Sequence, residues 1–216
     1  MNDAIKVAIV GGKGNGLVVA QIVEDLAGSG REIEVVGFLN DHEPIGSLIG
    51  KYPVLGRPGS WTELDADVQL VFALLSVGKM HERSELLAKL QVPESRLATL
   101  IHPTALISYD VSVGSGSVVA SYVTCQPSSS IGNNSIVRAG ANLGHDSKVG
   151  DFVDIGPNCT VCGYSSVERG AHVAPNSVVR DSVSVGEFSV LSAGSVALKD
   201  IGPGTTWMGN PARRVR

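Results

Sequence analysis

The sequence predicts a small parallel α/β domain over residues 1–99, followed by an all-β domain of short repeated strands over 100–216. Three observations carry this. The first half alternates strand-like and helix-like segments. The second half repeats with a period of six. The composition, with 26 glycines and only 5% aromatic residues, suits tightly wound β structure better than a helical bundle.

In the first half, "KVAIVGG" reads as a buried strand ending in glycines, and "LVVAQIVEDLAGSG" has helical spacing with a glycine stop. "IEVVGFLND" is a second strand, "YPVLGRPGSW" a strand plus turn, and "VQLVFALLSVG" a further buried strand. "HERSELLAKL" is an amphipathic helix with Leu86, Leu87 and Leu90 on one face. Apolar strands alternating with helices argue for a parallel sheet.

The second half keeps a different rhythm. Stepping by six from Ile101 to Ala197 passes through seventeen positions, and every one is apolar or small. At 43% hydrophobic content, chance gives this less than roughly once in 100,000 trials. A helix repeats at 3.6 and a strand at 2, so neither alone makes six. Six is the hexapeptide period of a parallel β-helix, in which three hexads close a triangular coil of eighteen residues. Ile101, Val119, Val137, Ile155, Val173 and Leu191 then form one internal column. Gly114, Gly132, Gly144, Gly150, Gly156 and Gly186 follow inward positions, where tight corners call for small side chains or unusual dihedrals. About five coils at roughly 4.8 Å each give a prism about 25 Å tall.

Composition narrows the function. A net charge of −4 gives no electrostatic footprint for nucleic acid. No apolar run reaches the roughly 20 residues of a spanning helix, and no signal peptide is visible, so membrane insertion is not expected. Three cysteines without a secretory pattern point to a reducing cytoplasm. Cys159 and Cys162 form a C-x-x-C with no second ligand pair, so no metal site is expected.

Taken together, "VGGKGNG" (10–16), "GFLND" (37–41), "IHPTA" (101–105), "GHDSKVGDFVDIGP" (144–157) and "GNPARRV" (209–215) resemble one known family. It is the sialic acid O-acetyltransferase (NeuD) and bacillosamine-pathway N-acetyltransferase (PglD-like) family, and the likeness runs nearly end to end. The resemblance implies a Rossmann-like nucleotide-sugar-binding domain joined to a left-handed parallel β-helix, the known exception to right-handed crossovers. It implies acetyl-CoA as co-substrate and a homotrimer with active sites between subunits. The expected activity is N-acetylation of a nucleotide-linked amino sugar for surface glycan synthesis. O-acetylation of a sialic-acid-like sugar is the alternative within the family, and a non-catalytic trimeric nucleotide-sugar-binding scaffold the alternative outside it.

Acetyl transfer needs a base for the acceptor, polarisation of the thioester carbonyl, and two substrates held together. Of the five histidines, His145 stands two residues after the inward Leu143, on the outside of a coil, with Asp146 beside it. Spacing alone leaves it open between a base and a solvated corner residue. The resemblance makes His145 the general base and Asp146 the acid that orients it. His172 has no acid beside it in sequence and is read as occupying an outward or corner hexad position.

The resemblance further places acetyl-CoA along Gly163, Ala174 and Ala193, with Arg213 and Arg214 for its phosphates. In the first half, Gly12, Gly14, Asn15 and Gly16 open a helix after a strand, an arrangement suited to phosphate. Asn40 and Asp41 end the second strand, where a base or ribose is often read. "SVGK" (76–79) is expected to complete that pocket, with Lys79 near phosphate. Three positions depart from the family pattern. Asn15 replaces a histidine, Asp154 replaces a second histidine that contacts the thioester carbonyl, and Arg138 replaces an asparagine. Arg138 is read as a site for an anionic group of the acceptor. Asp154 is read as binding an acceptor ammonium or sitting in solvent.

Overall fold

The computed structural model describes residues 4–74 and 79–216. Its first strand, β1 (Ile5–Val10), leads through the glycine-rich loop into α1 (Asn15–Gly28). Next come β2 (Ile33–Leu39), the short β3 (Leu48–Ile49), β4 (Tyr52–Gly56), β5 (Val68–Phe72) and α2 (Met80–Leu90). The sheet order is β3-β4-β2-β1-β5. β1, β2, β4 and β5 run parallel, and β3 adds an antiparallel edge that the sequence reading lacked. Val7 to Val10 are fully buried, as expected of a central strand covered on both faces. The last strand ends at Phe72, short of the expected run, and residues 76–78 of "SVGK" lie outside the described residues.

From Leu100–Ile101 onward, a two-residue strand recurs every six residues as far as Val196–Ala197. Each pairs in parallel with the strand eighteen residues on, so three ladders enclose a prism. The expected column exists: Ile101 pairs with Val119, Val119 with Val137, Val137 with Ile155, Ile155 with Val173 and Val173 with Leu191. Transfer of each such side chain from water stabilises the prism by about 1.5–3 kcal/mol. A second buried register lies four residues after each inward one. It holds small residues such as Ser117, Ser135, Ala141, Ser147, Cys159 and Ser177, which let the backbone turn.

The corners work differently from the sequence expectation. The left-handed residue is the third after each inward position, from Gly116 through Asp146 (φ 56°) and Tyr164 (φ 58°) to Gly194. The glycines directly after inward positions have no left-handed φ. They are glycines for space: a Cβ on Gly132 would come within 2.6 Å of the Gly150 carbonyl carbon, and one on Gly156 within 2.7 Å of the Pro175 nitrogen. Coil-to-coil approach, rather than backbone angle, excludes a side chain there.

Three faces and three edges follow. The first face carries Leu100, Val118, Ile136, Asp154, His172 and Val190. The second carries Thr124, Asn142 and Thr160, and the third Ser130, Lys148 and Ser166. The first domain packs on the first face. Val19, Ile22, Val23 and Leu26 of α1 share one buried cluster with Leu100, Val118, Ala120 and Ile136. A polar contact and a ring stack help pin this junction: His102 Nε2 lies 2.9 Å from Asp25 Oδ2, and the His81 ring stacks on Phe188 at 3.5 Å. The edge between the second and third faces is therefore the one opposite the first domain.

Candidate active site

His145 and Asp146 sit on that opposite edge. Leu143 and Val149 point inward, so the chain between them turns outside. The left-handed φ of Asp146 folds its side chain back toward the preceding residue, and Asp tolerates this region better than most. His145 Nδ1 lies 3.0 Å from Asp146 Oδ2. An ionised carboxylate only accepts, so Nδ1 carries the proton and Nε2 keeps its lone pair. The side chains remain 51% and 43% exposed, so the lone pair is open to a substrate. The His145 backbone N–H donates to Gln126 Oε1 at 3.0 Å, and Tyr164 packs edge-on at 5.0 Å. Gly163 lies directly over the imidazole, where a Cβ would be 2.8 Å from Nε2. The arrangement can take a proton from a nucleophile.

The predicted co-substrate residues divide between two edges. Gly163 shares the edge of His145. Ala174 and Ala193 lie on the edge between the first and second faces, the former buried and the latter exposed. One chain thus does not bring the three into a single path. Arg213 and Arg214 are exposed on a short strand antiparallel to Thr206–Met208, beyond the last coil of the prism.

The first domain presents a cavity of about 400 Å³ at the carboxyl ends of β1 and β5, lined by Gly12, Asn15, His42, Lys79 and Arg83 among others. Among the described residues no side chain caps the N-terminus of α1, which leaves its first amides available to an anion. Gly14 takes a left-handed φ of 80° there, and Gly16 lets the helix pack against Phe38. Asn40 plays a different part from the one predicted. Its Nδ2 donates to the Gly11 carbonyl, and its Oδ1 accepts the N–H groups of His42 and Glu43. It braces the glycine loop against the turn that follows β2. Asp41 is exposed, 3.8 Å from Arg57, and Lys79 is exposed beside Glu82.

Arg138 and Asp154 also differ from expectation. Asp154 does not sit in solvent, because its side chain is only 4% exposed, and it forms part of the wall of a cavity of about 350 Å³ together with Asn15, Arg138 and His172. Arg138 Nε and Nη2 donate to its two oxygens at 2.8 and 3.3 Å, and His172 Nδ1 lies 2.9 Å from Oδ2. Burial pushes the Asp154 carboxyl up, but the bonds from His172 and Arg138 outweigh it and hold the group below the ordinary carboxylate range. Arg138 Nη1 donates to Asn15 Oδ1 at 2.9 Å, joining prism to glycine loop.

Sequence reasoning missed two residues. His172 was set aside for want of an adjacent acid, yet its acid is Asp154, eighteen residues earlier and paired with it across the ladder. The shared phase in an eighteen-residue coil was the available signal. Arg83 lies on the buried face of α2. It donates to the Phe72 carbonyl at 3.1 Å, while burial lowers its pKa to about 10. Nothing in its helical pattern distinguished it from the charged face.

Comparison with known proteins fits this geometry. No family model matches the chain. UDP-N-acetylbacillosamine N-acetyltransferase of Bacillus subtilis (strain 168) is 31% identical over 113 residues, 52% of this chain. That match spans only 50% of the relative's own length. A variant of perosamine N-acetyltransferase from Caulobacter crescentus, solved with CoA and GDP-perosamine, superposes with a TM-score of 0.84 at 25% identity. It covers 98% of this chain and 97% of that one. The acetyltransferase domain of PglB from Neisseria gonorrhoeae FA1090, solved with acetyl coenzyme A, gives 0.84 at 28% identity, covering 98% and 100%. By fold over nearly its whole length and by sequence over about half of it, the chain is similar to the left-handed β-helix, hexapeptide-repeat sugar N-acetyltransferases, and the resemblance read in its sequence holds.

Proposed function

We propose that the chain transfers the acetyl group of acetyl-CoA to the amine of a nucleotide-linked amino sugar. The observation that carries this is the His145–Asp146 pair: an exposed imidazole with its Nδ1 proton held and its Nε2 lone pair open under Gly163. The solved relatives bound to CoA, acetyl coenzyme A and GDP-perosamine support the substrate classes. In this reading Nε2 takes the proton of the acceptor nitrogen as the C–N bond forms and the C–S bond breaks. The thiolate of CoA leaves and is protonated in turn. The α1 N-terminus and its cavity hold the nucleotide diphosphate, and Arg213 and Arg214 suit the phosphates of CoA.

The reacting partners then meet between copies of the chain. His145 lies on the edge opposite the first domain, so one chain cannot bring the base to its own nucleotide pocket. A homotrimer in which each His145 edge faces the next subunit's first domain satisfies this. Exposed Tyr109 and Tyr164 on the His145 edge suit such a contact. Three free cysteines suit a reducing cytoplasm, and no helix among the described residues is long and apolar enough to cross a membrane.

The test is release of CoA thiol from acetyl-CoA with a panel of nucleotide amino sugars and sialic acids. Turnover is expected with the amino sugars. The His145→Ala variant should lose about a hundredfold or more in kcat with its fold intact. Turnover with sialic acids alone would move the reading to O-acetylation. Near-normal turnover by His145→Ala would remove the base, and no thiol release with any acceptor would leave a binding scaffold.

A further inference from the structure

His172 is a buried histidine that makes one polar contact. Its side chain is 7% exposed, its Nδ1 meets Asp154, and its Nε2 has no partner among the described residues. Asp154 and His172 form part of the wall of one cavity of about 350 Å³, and the only one of their bonds that continues to the glycine-rich loop among the described residues runs through Arg138. Arg138 is the exposed end of the series, 26% accessible. Three of its five N–H groups are used, Nε and Nη2 on Asp154 and Nη1 on Asn15. Asn15 is the first residue of α1, and it lines each of three cavities, of about 310, 400 and 350 Å³. The glycine-rich loop thus ends on a residue that the prism holds through a fixed guanidinium.

The plane of that guanidinium is set by the two-point contact with Asp154. A single carboxylate on a long arginine leaves rotational freedom. The bond from His172 removes it by fixing the carboxylate. Burial strengthens each of these contacts and makes the loss of any one costly.

We propose that Asp154 and His172 are positioning residues: through Arg138 they lock Asn15 at the start of α1, and so hold the glycine-rich loop in the shape that receives the nucleotide sugar. The ligand named here rests on the acetyltransferase reading above; the mechanical link does not. His172 then contributes nothing to proton transfer, which stays with His145 on the other edge. The pair acts on acceptor binding alone.

Two measurements separate the link from the reading of function. Hydrogen exchange on the ligand-free protein follows segment 11–17. In His172→Ala its amides should exchange about tenfold faster, as the loop opens locally, while segment 141–151 is unchanged. His172→Asn places a donor near the Nδ1 position and should restore most of the protection. If His172→Ala does not fold, Arg138→Gln breaks the same link from its accessible end and should give the same pattern. Unchanged exchange in segment 11–17 in the folded variants, or no restoration by His172→Asn, overturns the proposal whatever the enzyme does. In the kinetic arm, His172→Ala should raise the KM for a nucleotide amino sugar about tenfold, with kcat within threefold and the acetyl-CoA KM unchanged. A fall in kcat with KM unchanged would give His172 a chemical role and overturn it. If the wild-type protein acetylates no amino sugar, the function fails while the exchange experiment still decides the link.

Discussion

At His145 the bond to Asp146 decides which nitrogen is basic, and Gly163 decides what can reach it. The two work together. A carboxylate on Nδ1 fixes the ring plane, and the missing side chain at 163 leaves the far nitrogen uncovered. A Gly163→Ala substitution puts a Cβ 2.8 Å from both Cε1 and Nε2. The backbone at 163 is not left-handed, so the alanine strains nothing except this contact. The imidazole must swing away, toward the open side, and loses its alignment with Asp146. The expected result is a kcat lower by about a hundredfold, with thermal stability close to wild type. Unchanged kcat would show that the ring already works from another position. This pair was legible in the sequence because its members are neighbours in the chain. Asn40 was not: its place at the end of a strand suggested a ligand contact, while its bond to the Gly11 carbonyl, twenty-nine residues away in the chain, could be seen only in space.

Between elements, the informative distance is eighteen residues. The inward column was readable because every sixth residue shares one chemistry. The Asp154–His172 pair is harder to read, because polar outward residues share no repeating chemistry, and its one signal, a spacing of eighteen residues, marks a pairing only once the chain is set out in coils. The same limit applies to the corners. Glycine after an inward residue signals a tight place, but whether it serves angle or space depends on the coil beneath. The Asp154 cluster has a consequence for acid stability. Its carboxyl is held below the ordinary aspartate value of 3.8 in the folded protein. A lowered folded value means that the stabilisation is fully present above the unfolded value and is lost as pH falls through the folded one. The wild-type protein should therefore lose stability more steeply below about pH 4 than Asp154→Asn, whose amide does not titrate. At neutral pH the order reverses in the sense that Asp154→Asn is the less stable, since Arg138 loses its charged partner. Chemical denaturation at several pH values checks both parts, and parallel pH profiles for the two proteins would refute the claim.

At the scale of the whole molecule, the two halves of the candidate site stand on opposite sides of one prism. This follows from register alone: the first domain covers the face of Leu100, Val118 and Ile136, and His145 occupies the edge across from it. An edge meeting a different surface on the next copy is a head-to-tail contact, which either closes into a ring or grows without limit. The homotrimer proposed above is a closed ring of this kind. Light scattering should then give about three times the chain mass of 22.4 kDa. A mass near one chain would contradict the arrangement. The sharper experiment mixes two defective proteins. His145→Ala spoils the base, and a combined Asn15→Ala and Arg138→Ala variant spoils the loop side. If each site takes His145 from one subunit and the loop from its neighbour, equal random mixing rebuilds an intact pair at about a quarter of the sites. Assayed with the amino sugar well below its KM, where His145→Ala is inactive and the loop variant slow, co-expressed chains should then recover about that fraction of wild-type turnover. If His145 served the loop of its own chain, every site would keep one defect, and mixing would restore nothing.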